Sequence, residues 1–453
     1  MSAPEVAATV VGAGVAGLAA ALELQRRLSD VVLIDASDRP GGVMRTDHIG
    51  GYVIERGPNT IQVKAPMAAF LARLGLERVL LRAQPASRLR SLYLDGRLVP
   101  VPSTALGLVG TPLFSLRGKL RLLAEPLLPR GDAAAESVAE FLGRRLGRES
   151  VERMIGPFLT GVYAGDEREL GAASVFPALV ELERRHRSLA LGALWRRMGR
   201  RRAPDWPGTW SARQGLGPFA RRVAERLREP PALGSRVRSI ARDAGHWRLE
   251  VSGPGGPHAL RSERLVLATS APAAAALLAG VCAAAAEALS GIAYAPIVGV
   301  PFGVDPASLR TPARGFGFLV PRSAGLDLLG CLFMSELFPG RAPEGRALLH
   351  CILGGTRSPD LVGLPDDDVV KRAVEGLDRT LGLAGEPRPL AVTRWPLAIP
   401  QPDRHHAARL AEVRRRLAAE CPGLALAGAY LGGVAVSDAL ASGVAAAAEL
   451  APV

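Results

Sequence analysis

The sequence predicts an α/β protein with a parallel-sheet domain at its start, a mixed or antiparallel sheet and a helical region after it, and a further strand, turn and helix near its other end. Three observations carry this prediction. Near the start, a short apolar run is followed at once by Gly12, Gly14 and Gly17 and then by an apolar helix. Near the other end, Leu424–Tyr430 reads as a second buried strand that enters a glycine turn and an alanine-rich helix. Between them lie short β-rich runs set apart by Gly, Pro and Arg.

Composition bounds the rest. With 453 residues, 48% hydrophobic and 22% charged, the chain is folded and too long for one core. Cys282, Cys331, Cys351 and Cys421 form no CxxC pair and no cluster with histidine, so neither a zinc site nor a disulfide framework is expected, and a reducing cytoplasm fits. The net charge of +13 is almost all arginine, and the 5% of aromatic residues are not interleaved with basic runs, which argues against nucleic acid. The opening residues lack a secretory signal pattern. Leu265–Ala286 is uncharged, but its Thr269, Ser270, Pro272 and Gly280 read as a strand, a turn and a helix rather than a membrane span. HExxH, GxSxG and Walker A patterns are absent, and the His405–His406 pair reads as a solvated helix start, so no metal is expected.

In chain order, Ala7–Val11 is the first strand. Gly12 permits the tight turn, Gly14 lets the backbone approach a pyrophosphate, and Gly17 lets the helix pack close to the strand. The helix N-terminus adds free N–H groups and a positive dipole end. The second strand, VVLID, ends at Asp35, where an acid would meet a ribose hydroxyl. This is a Rossmann-like dinucleotide-binding unit, which by itself does not separate FAD from NAD. Next comes a glycine pair between arginines, Arg39-Pro40-Gly41-Gly42-Val43-Met44-Arg45, where glycine allows backbone approach and arginine neutralises phosphate. Val237 lies in the strand-like SRVRSI. The runs IVGVPFGV, GFGFLVP, LDLLGCLF and RALLHCILGG predict the second sheet, and residues 85–204 are rich in helix formers, Leu and Arg.

The glycine pair resembles that of the FAD-dependent amine oxidase superfamily. Four further segments resemble the protoporphyrinogen oxidase family within it. They are Ile54-Glu55-Arg56-Gly57-Pro58-Asn59-Thr60, the arginine-led hairpin Arg90–Pro100, Phe158–Asp166, and the set Gly315–Pro321, Leu329-Gly330 and Trp395–Gln401. The resemblance implies a discontinuous FAD-binding domain (1–64, 205–275 and 390–453), a substrate-binding domain (65–84 and 276–389) and a helical region (85–204) suited to an anionic membrane surface. Along FAD it sets Gly12, Ala13, Gly14, Val15, Ala16, Gly17, Asp35, Ala36, Arg39, Gly41, Gly42 and Val43. It adds Gly57, Pro58, Asn59, Thr60, Val237, Trp395, Gly428, Val434, Ala435 and Val436. Asp35 replaces the commoner Glu, and Ser437 stands where Asn is frequent.

For the substrate, the resemblance implies that Arg90 pairs with a propionate, that Gly161 and Gly165 leave room for the macrocycle, and that Leu319, Leu332 and Ile352 sandwich its pyrrole rings. Porphyrinogen and O2 are then the reactants, with no catalytic acid, base or metal assigned. Coproporphyrinogen, with four carboxylates, is the rival substrate, and Arg88, Lys64 or Arg56 are its extra cations. Another superfamily oxidase and a non-catalytic flavoprotein are the more distant readings. The resemblance leaves open a homodimer and handover of product to a ferrochelatase, in a cytoplasmic or peripheral membrane location.

Overall fold

The computed structural model describes residues 4–451 except 103–106, 108–109, 134, 200–205 and 207. Its first sheet has the strand Glu5–Val11 at the centre, parallel on one side to Val31–Ile34 and on the other to Gly256–Leu267. Gly256–Leu267 also forms an antiparallel ribbon with His246–Gly253 and Arg236–Asp243, while its last residues pair in parallel with Leu424–Leu426. Both faces of the parallel part are buried, so these strands are apolar without alternation: Val10, Val266 and Ala425 join one core, and Val11, Leu265 and Leu267 the other. The first helix, Val15–Gln25, is buried from Ala16 to Gln25. The C-terminal helix Val436–Leu450 packs along it so closely that a Cβ on Gly443 would lie 2.0 Å from the Ala16 carbonyl oxygen.

The second sheet runs in the order Arg388–Pro389, Tyr294–Val304, Ala347–Gly354, Leu328–Phe333, Gly317–Leu319, Arg90–Leu94 and Arg97–Pro100. Thr393–Pro400 also pairs with Tyr294–Val304. Every pairing is antiparallel except Gly317–Leu319 with Arg90–Leu94. Side chains alternate between its faces. Val298, Val300, Phe302, Leu349 and Cys351 pack under the helix Asp366–Leu381 through Val369, Ala373, Leu377 and Leu381.

Three expected boundaries need correction. Residues 65–84 were placed with the second domain, but Met67, Phe70, Leu71, Leu76 and Leu80 are buried in the first core, and Leu80–Arg82 pairs with Thr209–Ala212. Residues 90–100 were placed in the helical region, but they form a hairpin that extends the second sheet. The strand Thr393–Pro400 likewise joins that sheet rather than the first.

The helical region is centred on Val138–Leu146, Gly156–Tyr163 and Pro177–His186, whose Phe141, Leu142, Leu159, Tyr163 and Leu182 form a separate core. Val138–Leu146 opens in a capping box, Ser137 with Glu140. Leu189–Gly199 is started by buried Glu125, which accepts from Leu189 N at 2.9 Å and Ala190 N at 3.2 Å while it pairs with buried Arg145. The arginine-rich run from Glu183 continues into 200–202, outside the described residues. Among the described residues no helix is long and apolar enough to cross a membrane, and Leu265–Ala286 divides into a strand end and two short helices.

Candidate active site

The predicted cofactor residues fall on one continuous track. Gly12 has φ +106°, and a Cβ on Gly17 would sit 1.7 Å from the Gly12 carbonyl oxygen, so turn and helix start need both glycines. Gly14, by contrast, faces open space on its Cβ side. Ala13, Val15 and Ala16 complete the turn and the first helical residues. Asp35, just past the second strand, accepts from Ala13 N at 2.5 Å and Ser37 N at 2.7 Å, which fixes its carboxylate under the glycine turn. Ser235 N donates to Asp35 O at 2.8 Å, bringing the strand that holds buried Val237 alongside Ala36.

From the turn the track passes to the glycine pair. Gly41 N donates to Ala13 O at 2.8 Å, and a Cβ on Gly42 would lie 3.2 Å from Gly14 Cα. Burial and neighbouring Arg45 lower the pKa of Arg39, a cation whose Nη1 donates to Met44 O at 3.3 Å. Val43 leads on to Gly57, whose Cβ would sit 1.9 Å from the Val43 carbonyl oxygen. Pro58, Asn59 and Thr60 follow. The hydroxyl of Ser437 donates to Gln62 O, which ties this segment to the start of the C-terminal helix at Val434, Ala435 and Val436. Trp395 Nε1 donates to Arg56 O at 2.6 Å. Gly428, with φ +153°, receives its bend from the strand before it and donates its N–H to Ser442 Oγ at 2.9 Å.

A flavin dinucleotide fits these residues. The open side of Gly14 and the N–H groups of Val15 and Ala16 suit a pyrophosphate, and Asn59 Oδ1 is buried with no hydrogen-bond partner among the described residues, an acceptor suited to a donor on the cofactor. The helix Val436–Leu450 presents its positive dipole end at the opposite end of the track.

The predicted substrate residues lie on the face of the second sheet away from Asp366–Leu381. Arg90 pairs in register with Gly317, and its guanidinium lies 4.4 Å from the Phe316 ring centroid. Leu319 stands two residues on, and a Cβ on Gly161 would be 2.5 Å from Leu319 Cδ2, so the helix Gly156–Tyr163 approaches the sheet through that glycine. A Cβ on Gly165 would be 2.3 Å from Gln401 Oε1, whose amide Nε2 donates to Tyr163 O at 2.8 Å. Ile352 packs with Ala164, Ile297 and Ile399, whereas Leu332 packs towards Tyr52, Ile54 and Leu348.

Three features were not foreseen. His350, beside Leu332 on the same face, is buried, and Gly299 makes room for it: a Cβ there would be 2.9 Å from His350 Nε2. Its imidazole pKa is pushed down to about 4 by burial, with the charge of Arg56 adding to the effect. Second, buried Glu55 pairs with buried Arg341 at 3.1 Å and accepts from Leu216 N at 3.1 Å. Burial raises the Glu55 pKa, against the opposing pull of Arg341. Third, His406 is buried, with Nε2 2.8 Å from Tyr430 O, so only His405 of that pair is solvated. No group of ligands suited to a metal occurs among the described residues.

Of the three extra cations, Lys64 pairs with Asp438 at 2.5 Å, and Arg56 pairs with Asp47 at 3.5 Å and donates to Val392 O at 3.0 Å. Arg88 lines the same cavity as Arg90.

This fold and track define a flavin-dependent oxidoreductase, and residues 15–451 match the family of flavin-containing amine oxidoreductases; the chain belongs to that family. Within it, the chain is 30% identical to coproporphyrinogen III oxidase of Bacillus subtilis (strain 168) over 96% of each. It is 32% identical to chloroplastic protoporphyrinogen oxidase of Nicotiana tabacum over 96% of this chain and 83% of the relative. A solved structure from Exiguobacterium sp. 255-15, assigned provisionally as a protoporphyrinogen oxidase, superposes with a TM-score of 0.81 at 26% identity, covering 98% of this chain and 97% of the other. Cyclohexylamine oxidase from Brevibacterium oxydans, 19% identical with a TM-score of 0.68 over 99% of this chain and 100% of the other, shares the fold.

Proposed function

We propose that this chain oxidises protoporphyrinogen IX to protoporphyrin IX with O2 as acceptor and H2O2 as product, in three two-electron rounds. The observation that carries the reading is one sheet face bearing Arg90, Leu319, Leu332 and Ile352, approached by a helix at Gly161. FAD, held by the track described above, supplies the two-electron oxidation and its renewal by O2. Arg90 engages a propionate and so orients the macrocycle. Leu319, Leu332 and Ile352 flank apolar pyrroles and exclude water, while Gly161 lets the helix Gly156–Tyr163 close on Leu319 and Gly165 leaves room for the Gln401 side chain, which together shape the wall.

Aerobic turnover of the FAD-loaded protein with protoporphyrinogen IX and coproporphyrinogen III, followed by porphyrin fluorescence against spontaneous oxidation, tests this. Acceleration of protoporphyrinogen oxidation is expected. A yellow protein that accelerates neither would refute the reading. Faster turnover of coproporphyrinogen would instead select that substrate, a second reading favoured by Arg88 standing beside Arg90.

An anionic membrane surface is the partner we assign to the helical region. What supports it is Leu116–Leu123, where Leu116 is 75%, Leu120 58% and Leu123 74% exposed at helical spacing, followed by Leu127 at 87%. Arg117 and Arg130 flank this stripe, and exposed Trp195 and Leu191 lie on the neighbouring helix.

A further inference from the structure

Next to Arg90 the surface opens into a cavity of about 320 Å³ lined by Arg82, Gln84, Ser87, Arg88, Arg90 and Thr209 among others. Three arginines therefore line one cleft. None of them has an ion pair or a side-chain hydrogen bond to another described residue. Other half-buried arginines are neutralised at close range, such as Arg144 between Glu136 and Glu183 and Arg409 with Asp403. In this cleft the partners are aromatic instead, Arg90 on Phe316 and Arg82 on Trp210 at 5.9 Å, contacts that hold a planar cation in place and leave its N–H edge free. Arg88 ends the turn Pro85–Arg88, two residues before Arg90 enters the sheet.

Free, oriented guanidiniums around a concave site are the complement of carboxylates, which they grip in bidentate fashion. Three of them exceed what one propionate needs. We infer that Arg82 and Arg88 join Arg90 in a carboxylate-binding cleft that takes two neighbouring propionates at one edge of the macrocycle. This rests on the porphyrinogen reading and extends it: propionate recognition belongs to the whole segment 82–90 and not to Arg90 alone. Arg82 and Arg88 are positioning residues here, far enough along the edge to set the angle at which the ring enters beside Leu319.

The test uses the full-length, FAD-loaded protein and the variants Arg82→Gln, Arg88→Gln and Arg88→Lys. The flavin absorbance of each variant checks that the fold and cofactor are intact. Two readouts are taken: KM and kcat for the porphyrinogen that the wild type oxidises, and the affinity for protoporphyrin IX and for its dimethyl ester, by quenching of porphyrin fluorescence. Expected are a KM raised at least fivefold in each Gln variant with kcat within twofold, recovery in Arg88→Lys, and a wild-type preference for the free acid over the ester that shrinks in both Gln variants. Wild-type KM and an unchanged acid preference in Arg82→Gln and Arg88→Gln would overturn this inference and leave the porphyrinogen reading standing. A wild-type protein that neither oxidises porphyrinogens nor binds the porphyrin would overturn both.

Discussion

A Cβ added at Gly14 meets nothing within 4 Å among the described residues, whereas one added at Gly17 would fall 1.7 Å from the Gly12 carbonyl oxygen. Gly14 is extended at φ −67° and ψ 176°, a conformation open to any residue. Gly14→Val should therefore yield a folded, colourless protein, with its melting temperature without cofactor close to that of the wild type, while Gly17→Val should lose more than the roughly 1–3 kcal/mol of ordinary overpacking. Flavin absorbance and thermal melts separate the two, and a yellow Gly14→Val protein would remove Gly14 from the pyrophosphate site. The glycine spacing in the sequence announces the motif but not this division of labour, which depends on what each missing Cβ would touch. His350 was hidden for a similar reason: one histidine in an apolar strand gives no signal until Gly299 is seen to make space for it. With its pKa at about 4 in the fold against 6.5 in the unfolded chain, His350 leaves the unfolded state binding more protons between those values. Stability should then fall as pH drops from 6.5 to 4, by on the order of 3 kcal/mol, and be unaffected above pH 6.5. Urea unfolding of His350→Asn at pH 7 and pH 5 should show a smaller loss than the wild type, the remainder including buried His406, whose pKa burial also lowers. Equal losses in both proteins would contradict the assignment.

At the scale of elements, the strands and helices of the first domain follow from local pattern because each apolar run is buried whole. The segments 65–84 and 90–100 went astray because their partners are remote: Arg90–Leu94 lies beside Gly317–Leu319, more than two hundred residues on, and Met67 and Phe70 pack against the first helix. Nothing within either segment states that partnership. Arg88 is among the cations the sequence reading offers, but Arg82 is obscured in another way, since an arginine-rich composition makes any one arginine unremarkable until its missing carboxylate is seen. The leucine stripe of Leu116–Leu123 is a pattern that the sequence does carry, an amphipathic helix whose apolar face the fold leaves uncovered. Because Leu120 and Leu123 touch little, Leu120→Ser with Leu123→Ser should change the melting temperature by only a degree or two. Each leucine buried in lipid contributes about 1.5–3 kcal/mol, so co-sedimentation with phosphatidylglycerol vesicles should weaken at least tenfold. Unchanged sedimentation would put the stripe outside any lipid contact.

At the scale of the whole molecule, the two sheets and the helical region are joined by buried polar contacts. Glu55, from the first domain's hairpin, meets Arg341, from the loop that follows Leu337 in the second domain, and each is almost wholly removed from water. Trp395, within the strand Thr393–Pro400, and Gln401, just past its end, bond to Arg56 O and Tyr163 O, so the three parts converge where the cofactor track meets the substrate face. The interleaving of the first domain also has a temporal side. Its opening strand and helix are synthesised about four hundred residues before Leu424–Leu426 and Val436–Leu450, which cover them. At roughly 5–20 residues per second, a ribosome leaves that helix without its neighbour for about 20–80 s. The nascent chain thus carries an unshielded apolar helix until Val436–Leu450 emerges, a demand on chaperones, and flavin can be locked in only once that helix has been made.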